Sequence, residues 1–294
     1  MLRTNLIDAR SLGGILGSCV VLDCRFDLNA PAAGRQAYLT AHVPGARYVD
    51  LNQHLAGPVT PHTGRHPLPS PEALGRLFAS LGITDGVQVV VYDDANGAFA
   101  ARAWWLLRWL GHAEVAVLDG GFKAWLGAGG AVESGAAAPD ALQSAAAAPS
   151  AAAALVAATA DLHAVATAAD VQQALGDPEH RVVDARAAER YAGLVEPIDP
   201  VAGHVPGAIN HPFAGNLDAG GRFLPAAELR RRWLTRLAGA EPANTIMMCG
   251  SGVTACHNLL AMELAGLTGA RLYAGSWSEW IRNADRPVAR GPTP

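Results

Sequence analysis

Along this chain, short runs of β-branched and other apolar residues alternate with longer stretches whose apolar positions recur at helical spacing. VVLD (20–23), VQVVVYD (87–93) and VAVLD (115–119) are matched in kind by RVVD (181–184), TIMMC (245–249) and ARLYA (270–274). Continuous apolar runs of this length fit strands buried on both faces. PSPEALGRLFASLG (69–82) and TAADVQQALG (167–176) each open with a Ser or Thr followed by acidic or polar residues, as helix starts do. FAARAWWLLRWLG (99–111) and TACHNLLAMELAGL (254–267) are long enough for helices packed on a sheet. The alternation predicts an α/β fold, an open parallel sheet with helices on both faces.

The pattern occurs twice. VVLDCRF resembles RVVDARA, AHVPGARYVD resembles GHVPGAINHPF, VQVVVYDDANG resembles NTIMMCGSG, and VLDGGFKAW resembles LYAGSWSEW. The matches keep their order at a separation of about 160 residues, the length of a domain rather than of a solenoid unit. We therefore expect two tandem domains, residues 1–128 and 159–294. The stretch between them, 129–158, is rich in Ala, Gly, Ser and Pro and reads as a linker.

Composition narrows the function. With 50% apolar and 16% charged residues, the chain is not a disordered protein. Its net charge of −4, without a basic run, argues against a nucleic-acid partner. Asp8 and Arg10 interrupt the opening segment, so no secretory signal is expected, and the Ala-rich stretch 145–160 is too weakly apolar for a membrane span. Four cysteines, Cys19, Cys24, Cys249 and Cys256, make no disulfide framework, which suits a reducing, cytoplasmic compartment.

One place separates the copies. In an open α/β sheet, ligands bind beyond the carboxyl ends of the strands. The second copy carries Cys249-Gly250-Ser251-Gly252-Val253-Thr254 there, a strand end leading through a glycine loop into a helix. Unpaired backbone N–H groups and the positive helix end favour thiolate, the nucleophilic form. The glycines allow a curl that turns N–H groups inward as an anion cradle. The first copy has Asp93-Asp94 at the same strand end and cannot supply a sulfur nucleophile, so one chemical site serves two domains. Cys19, Cys24 and Cys256 read as small core hydrophobes. Cys249, Cys256 and His257 lack zinc spacing, and no metal or other cofactor is called for.

The CGSGVTACHNLLAM stretch, the paired HVPGA segments and the GSWSEW ending together resemble the two-domain rhodanese family of sulfurtransferases, from about Leu6 to about Val288. The resemblance implies two rhodanese-like domains, the first inert and the second catalytic. It implies that Cys249 takes a sulfur from a small anionic donor as a persulfide and passes it to a thiol, such as that of a thioredoxin-like protein, or to cyanide. Gly250 to Thr254 would cradle the sulfur. Arg190, in DARAAERYAG, matches the family's substrate-binding arginine, and a guanidinium fork suits a carboxylate or a sulfonate-type group.

Gly250-Ser251 after the cysteine leans toward 3-mercaptopyruvate as donor, whereas thiosulfate-preferring members carry basic residues there. Against this, Glu196-Pro197-Ile198-Asp199 lacks the second arginine of the mercaptopyruvate pattern. Thiosulfate or a persulfide donor therefore stays open, with mercaptopyruvate slightly ahead. A Ser–His–Asp relay of such enzymes would fall on Ser251, His66 in GRHPLP and Asp50 in YVDLN. The competing readings are a helix cap for Asp50 and a satisfied loop histidine for His66. His42 and His204 recur in both copies and read as structural, as do the Asp23/Arg25 and Asp184/Arg186 pairs; Trp277 and Trp280 read as core. A cysteine phosphatase would need an arginine closing the loop, where Ala255 stands. A persulfide relay fed only by a protein partner is the rival from another class, and a nucleotide site fails for want of the P-loop lysine.

Overall fold

The computed structural model describes residues 4–135 and 160–294. Most of the expected linker, from residue 136 onward, lies outside the described residues. The chain divides into two compact units, and the division does not follow chain order throughout. One unit comprises residues up to Gly57 together with Leu68–Asp161, and the other comprises Pro58–Pro67 together with Leu162–Pro294.

The first unit runs β1 (Asn5–Ile7), α1 (Ala9–Ile15), β2 (Cys19–Asp23), α2 (Ala32–Thr40), β3 (Arg47–Tyr48), α3 (Pro71–Ser80), β4 (Gln88–Tyr92), α4 (Ala100–Trp109), β5 (Val115–Leu118) and α5 (Gly121–Gly127). The second runs β6 (Val165–Ala166), α6 (Ala168–Ala174), β7 (Arg181–Asp184), α7 (Ala188–Tyr191), β8 (Ile209–Asn210), α8 (Ala226–Leu237), β9 (Thr245–Met248), α9 (Thr254–Leu264), β10 (Arg271–Tyr273) and α10 (Ser276–Trp280). The five-stranded sheets have the orders β1-β5-β4-β2-β3 and β6-β10-β9-β7-β8, one topology used twice. Every pairing within them is parallel.

Burial explains the apolar runs. Val90 and Tyr92 of β4 pack with Leu12 of α1 and with Phe122 and Trp125 of α5. The alternate residues Val89 and Val91 point to the other face and are equally buried, with α4 packed against β4 and β5. In the second unit Ile246 and Met248 of β9 pack with Val171 of α6 and with Trp277 and Trp280 of α10. Helix starts follow local chemistry. Ser70 accepts the Ala73 N–H with Pro71 at the first helical position of α3, and Thr167 and Asp170 form a reciprocal capping box on α6.

The recurring residues form a frame. Arg25 grips Asp23 and the Ala41 carbonyl; Arg186 grips Asp184 and the Gly203 carbonyl. His42 stacks on Tyr38 and its Nδ1 bonds the Tyr38 carbonyl at 2.8 Å, while His204 repeats this on Tyr191 at 2.8 Å. These groups tie the end of the second sheet strand to the turn before the edge strand in each unit.

Candidate active site

Cys249 follows β9 directly and lies buried at the mouth of the loop that becomes α9. Three contacts shape this loop. The Cys249 N–H donates to Ser276 Oγ at 3.0 Å, the Cys249 carbonyl accepts from the Trp277 N–H at 3.0 Å, and the Gly250 carbonyl accepts from the Ser278 N–H at 2.9 Å. Gly252 has φ +76°, and the curl brings its N–H within 3.1 Å of Cys249 Sγ. No side chain caps α9 at Val253. The first-turn N–H groups of α9 therefore have no side-chain acceptor from a capping residue. Behind the loop, the Cys256 thiol donates to the Gly252 carbonyl at 3.3 Å.

Three arginines and three carboxylates stand around this loop. Arg190, at the end of α7, bonds Glu196 at 2.6 Å and Asp199 at 3.2 Å. Arg186 pairs with Asp184 at 2.7 Å and Glu196 at 3.3 Å, and its guanidinium lies over the Trp277 ring. Arg65 pairs with Asp199 through Nη1. Burial would raise Glu196, but hydrogen bonds from Arg190 and from the Asp199 N–H outweigh it and hold it below the usual range. Asp199 is pushed up by burial, with Arg65 opposing and Glu196 adding to the rise. A Cβ on Gly250 would stand 3.0 Å from Arg65 Nη2 and 3.5 Å from Arg190 Nη1, so the bare glycine makes room for both forks.

Segment 58–67 belongs to the second unit. Gly64 packs so closely on the Gly275 carbonyl that a Cβ would come within 2.4 Å of it, and the Arg65 N–H donates to Ser278 Oγ at 3.0 Å. His66 Nδ1 lies 2.8 Å from Ser251 Oγ, both residues being buried. Asp50 belongs to the first unit. Its Oδ1 accepts the Asn52 and Gln53 N–H groups at 2.8 and 3.0 Å, and its Oδ2 accepts the Tyr48 hydroxyl.

The first unit shows what replaces the sulfur. Asp93 Oδ1 accepts the Ala95 and Gly97 N–H groups and Oδ2 those of Phe99 and Ala100, all at 2.8–2.9 Å. Its carboxylate fills its own loop, and burial pushes the group above the ordinary carboxyl range despite these four bonds. The remaining cysteines lack such settings. Burial raises Cys19 to about 11, and burial, with Asp23 and Asp93 adding to it, holds Cys24 well above the usual thiol range.

Two residues here were not singled out from sequence. Arg65 adjoins His66, but nothing in TGRHP says that residues 58–67 leave the first unit. Ser276 carried a legible signal, since it stands where the first copy has Gly121 in otherwise matching segments. Both have left-handed backbone, φ +52° for Ser276 and +58° for Gly121. A non-glycine residue there is strained, and its hydroxyl holds the Cys249 N–H.

Fold and site define a doubled α/β protein with a single cysteine cradle in its second unit. The Rhodanese-like domain family matches residues 5–128 and 167–283. A Pseudomonas aeruginosa protein named "Probable 3-mercaptopyruvate sulfurtransferase" is 46% identical over 99% of this chain and 100% of its own. The mouse protein named thiosulfate sulfurtransferase is 35% identical over 92% of this chain and 88% of its own. The crystal structure of SseA from Escherichia coli, described among 3-mercaptopyruvate sulfotransferases, superposes with a TM-score of 0.75 at 29% identity, covering 94% of this chain and all of SseA. The chain belongs to the rhodanese family.

Proposed function

We propose that this sulfurtransferase carries a sulfane sulfur from a small anionic donor to a thiol or to cyanide through a persulfide on Cys249. The carrying observation is the uncapped, curled loop whose Gly252 N–H meets Cys249 Sγ at 3.1 Å. With thiosulfate, the Cys249 thiolate attacks the outer sulfur, the new S–S bond forms, and sulfite leaves with the electron pair of the broken one. With 3-mercaptopyruvate, the thiolate attacks the substrate sulfur and the C–S bond breaks. Its electron pair leaves on the enolate of pyruvate, which takes up a proton at carbon. In either case an acceptor thiolate or cyanide then attacks the outer sulfur of the persulfide and releases Cys249 as thiolate. Splitting the transfer through a covalent intermediate suits a soft nucleophile. N–H groups from Gly250 to Thr254 stabilise the anionic sulfur, and Arg190 receives the donor's anionic group.

Mercaptopyruvate takes slight precedence over thiosulfate. Ser251 and His66, 2.8 Å apart, form a proton path suited to an enolate leaving group, which sulfite does not require. Asp50 stays the third proposed member of this relay. The more similar of the two relatives above carries the mercaptopyruvate name. We place the protein in the cytoplasm, in keeping with four cysteines that are all free. Among the described residues, no helix is long and apolar enough to cross a membrane.

Intact-mass measurement after incubation with donor, without acceptor, tests the reading. The native protein and Cys256→Ser should gain the mass of one sulfur and Cys249→Ser none. A native protein that gains nothing from either donor would refute the proposal.

A further inference from the structure

We propose that Arg65 is a second donor-binding residue, forming with Arg190 a two-guanidinium seat above Gly250 for the donor's oxyanion, with Asp199 positioning both forks. The proposal rests on the sulfur-transfer reading for the identity of its ligand. Its physical basis is the geometry around Gly250. Arg65 Nη2 and both terminal nitrogens of Arg190 converge on the residue after the nucleophile, within 3.0–3.6 Å of where a Cβ would be. An oxyanion joined to a sulfur at Cys249 by one to three bonds, as in thiosulfate or mercaptopyruvate, falls within reach of these forks.

A salt bridge with Asp199 does not by itself account for Arg65. That carboxylate engages only Nη1, while Nε is buried without a hydrogen-bond partner. Buried guanidinium N–H groups are costly to leave unmatched, and a planar fork with unused donors matches a planar or tetrahedral oxyanion. Asp199 also bonds Arg190 at 3.2 Å, so a single carboxylate holds the two cations against their mutual repulsion. It is fixed in turn by its N–H bond to Glu196 Oε1 at 3.1 Å. Arg65 is held at its backbone by Ser278 and preceded by the closely packed Gly64, so its side chain starts from a fixed base.

The test separates charge from shape. Alkylation of Cys249 is followed with iodoacetate, which carries a carboxylate, and with iodoacetamide, its neutral counterpart, in native protein, Arg65→Gln and Asp199→Asn. Loss of a charge-assisted hydrogen bond predicts that Arg65→Gln lowers the iodoacetate-to-iodoacetamide rate ratio by about tenfold or more. Asp199→Asn, whose NH2 can no longer accept from one of the two forks the carboxylate positions, should lower the ratio as well. In steady state Arg65→Gln should raise donor KM by about tenfold or more while kcat changes far less. A rise for mercaptopyruvate alone assigns a carboxylate seat, for thiosulfate alone a sulfonate seat, and for both a shared one. An unchanged ratio in folded Arg65→Gln, or equal slowing with both reagents, overturns the proposal. If native protein gains no sulfur but the ratio still falls, the anion seat stands and the sulfur-transfer reading is the one that fails.

Discussion

Gly252→Ala tests the loop where geometry is least forgiving. The added Cβ would stand 2.4 Å from the Ala274 carbonyl oxygen and 2.8–2.9 Å from two further Ala274 backbone atoms. Ordinary contact begins near 3.4 Å, so two backbone segments must separate by about 1 Å. Overpacking of this kind costs about 1–3 kcal/mol. Holding alanine at φ +76° adds about 1–2 kcal/mol. The least costly relaxation swings residue 252 outward, which takes its N–H away from Cys249 Sγ. A hydrogen bond to a charged acceptor contributes about 1.5–3 kcal/mol, or about ten- to hundredfold in the rate of persulfide formation. Gly250→Ala is the control, because its Cβ meets only the ends of Arg65 and Arg190, which can yield. The assay is the rate of sulfur mass gain without acceptor, alongside thermal unfolding. Gly252→Ala should load slowly and unfold at lower temperature, and Gly250→Ala should keep its unfolding temperature. Native-like loading and unfolding in Gly252→Ala would show that the curl does not hold the sulfur.

Two further outcomes follow from the same geometry. Asp93→Asn sets an amide NH2 against two of the four N–H groups now held by the carboxylate. Losing two bonds to a charged acceptor, at about 1.5–3 kcal/mol each, should speed hydrogen exchange in residues 95–100 by about a hundredfold or more. The exposed neighbour Asp94→Asn should leave exchange there nearly unchanged, and equal protection in both variants would disprove the self-filled loop. His66→Ala should slow turnover with mercaptopyruvate by about a hundredfold and with thiosulfate far less; equal slowing would mark a packing role instead.

The central sheet strands were legible because each is a continuous apolar run buried on both faces, and the repeat located one cysteine cradle among two strand ends. The edge strands β3, β6 and β8 are two residues each, too short for any periodicity to register. Helix α8 was overlooked although its buried residues Leu229, Trp233 and Leu237 fall at four-residue steps, because arginines dominate its surface. Cys249 and its loop could be read from local spacing, whereas Arg190 came only from the family resemblance. Arg65 could be read from neither, because its contacts with Asp199 and Gly250 lie more than 130 residues away in the chain.

The excursion of residues 58–67 binds the halves of this gene product into one inheritance unit. A truncated chain starting at residue 160 would keep the sulfur cradle yet lose Arg65 and His66. The first repeat therefore cannot be shed by simple deletion, and recombination between repeats would deliver a second half stripped of two of its side chains. Dependence of this kind would preserve the first copy long after duplication.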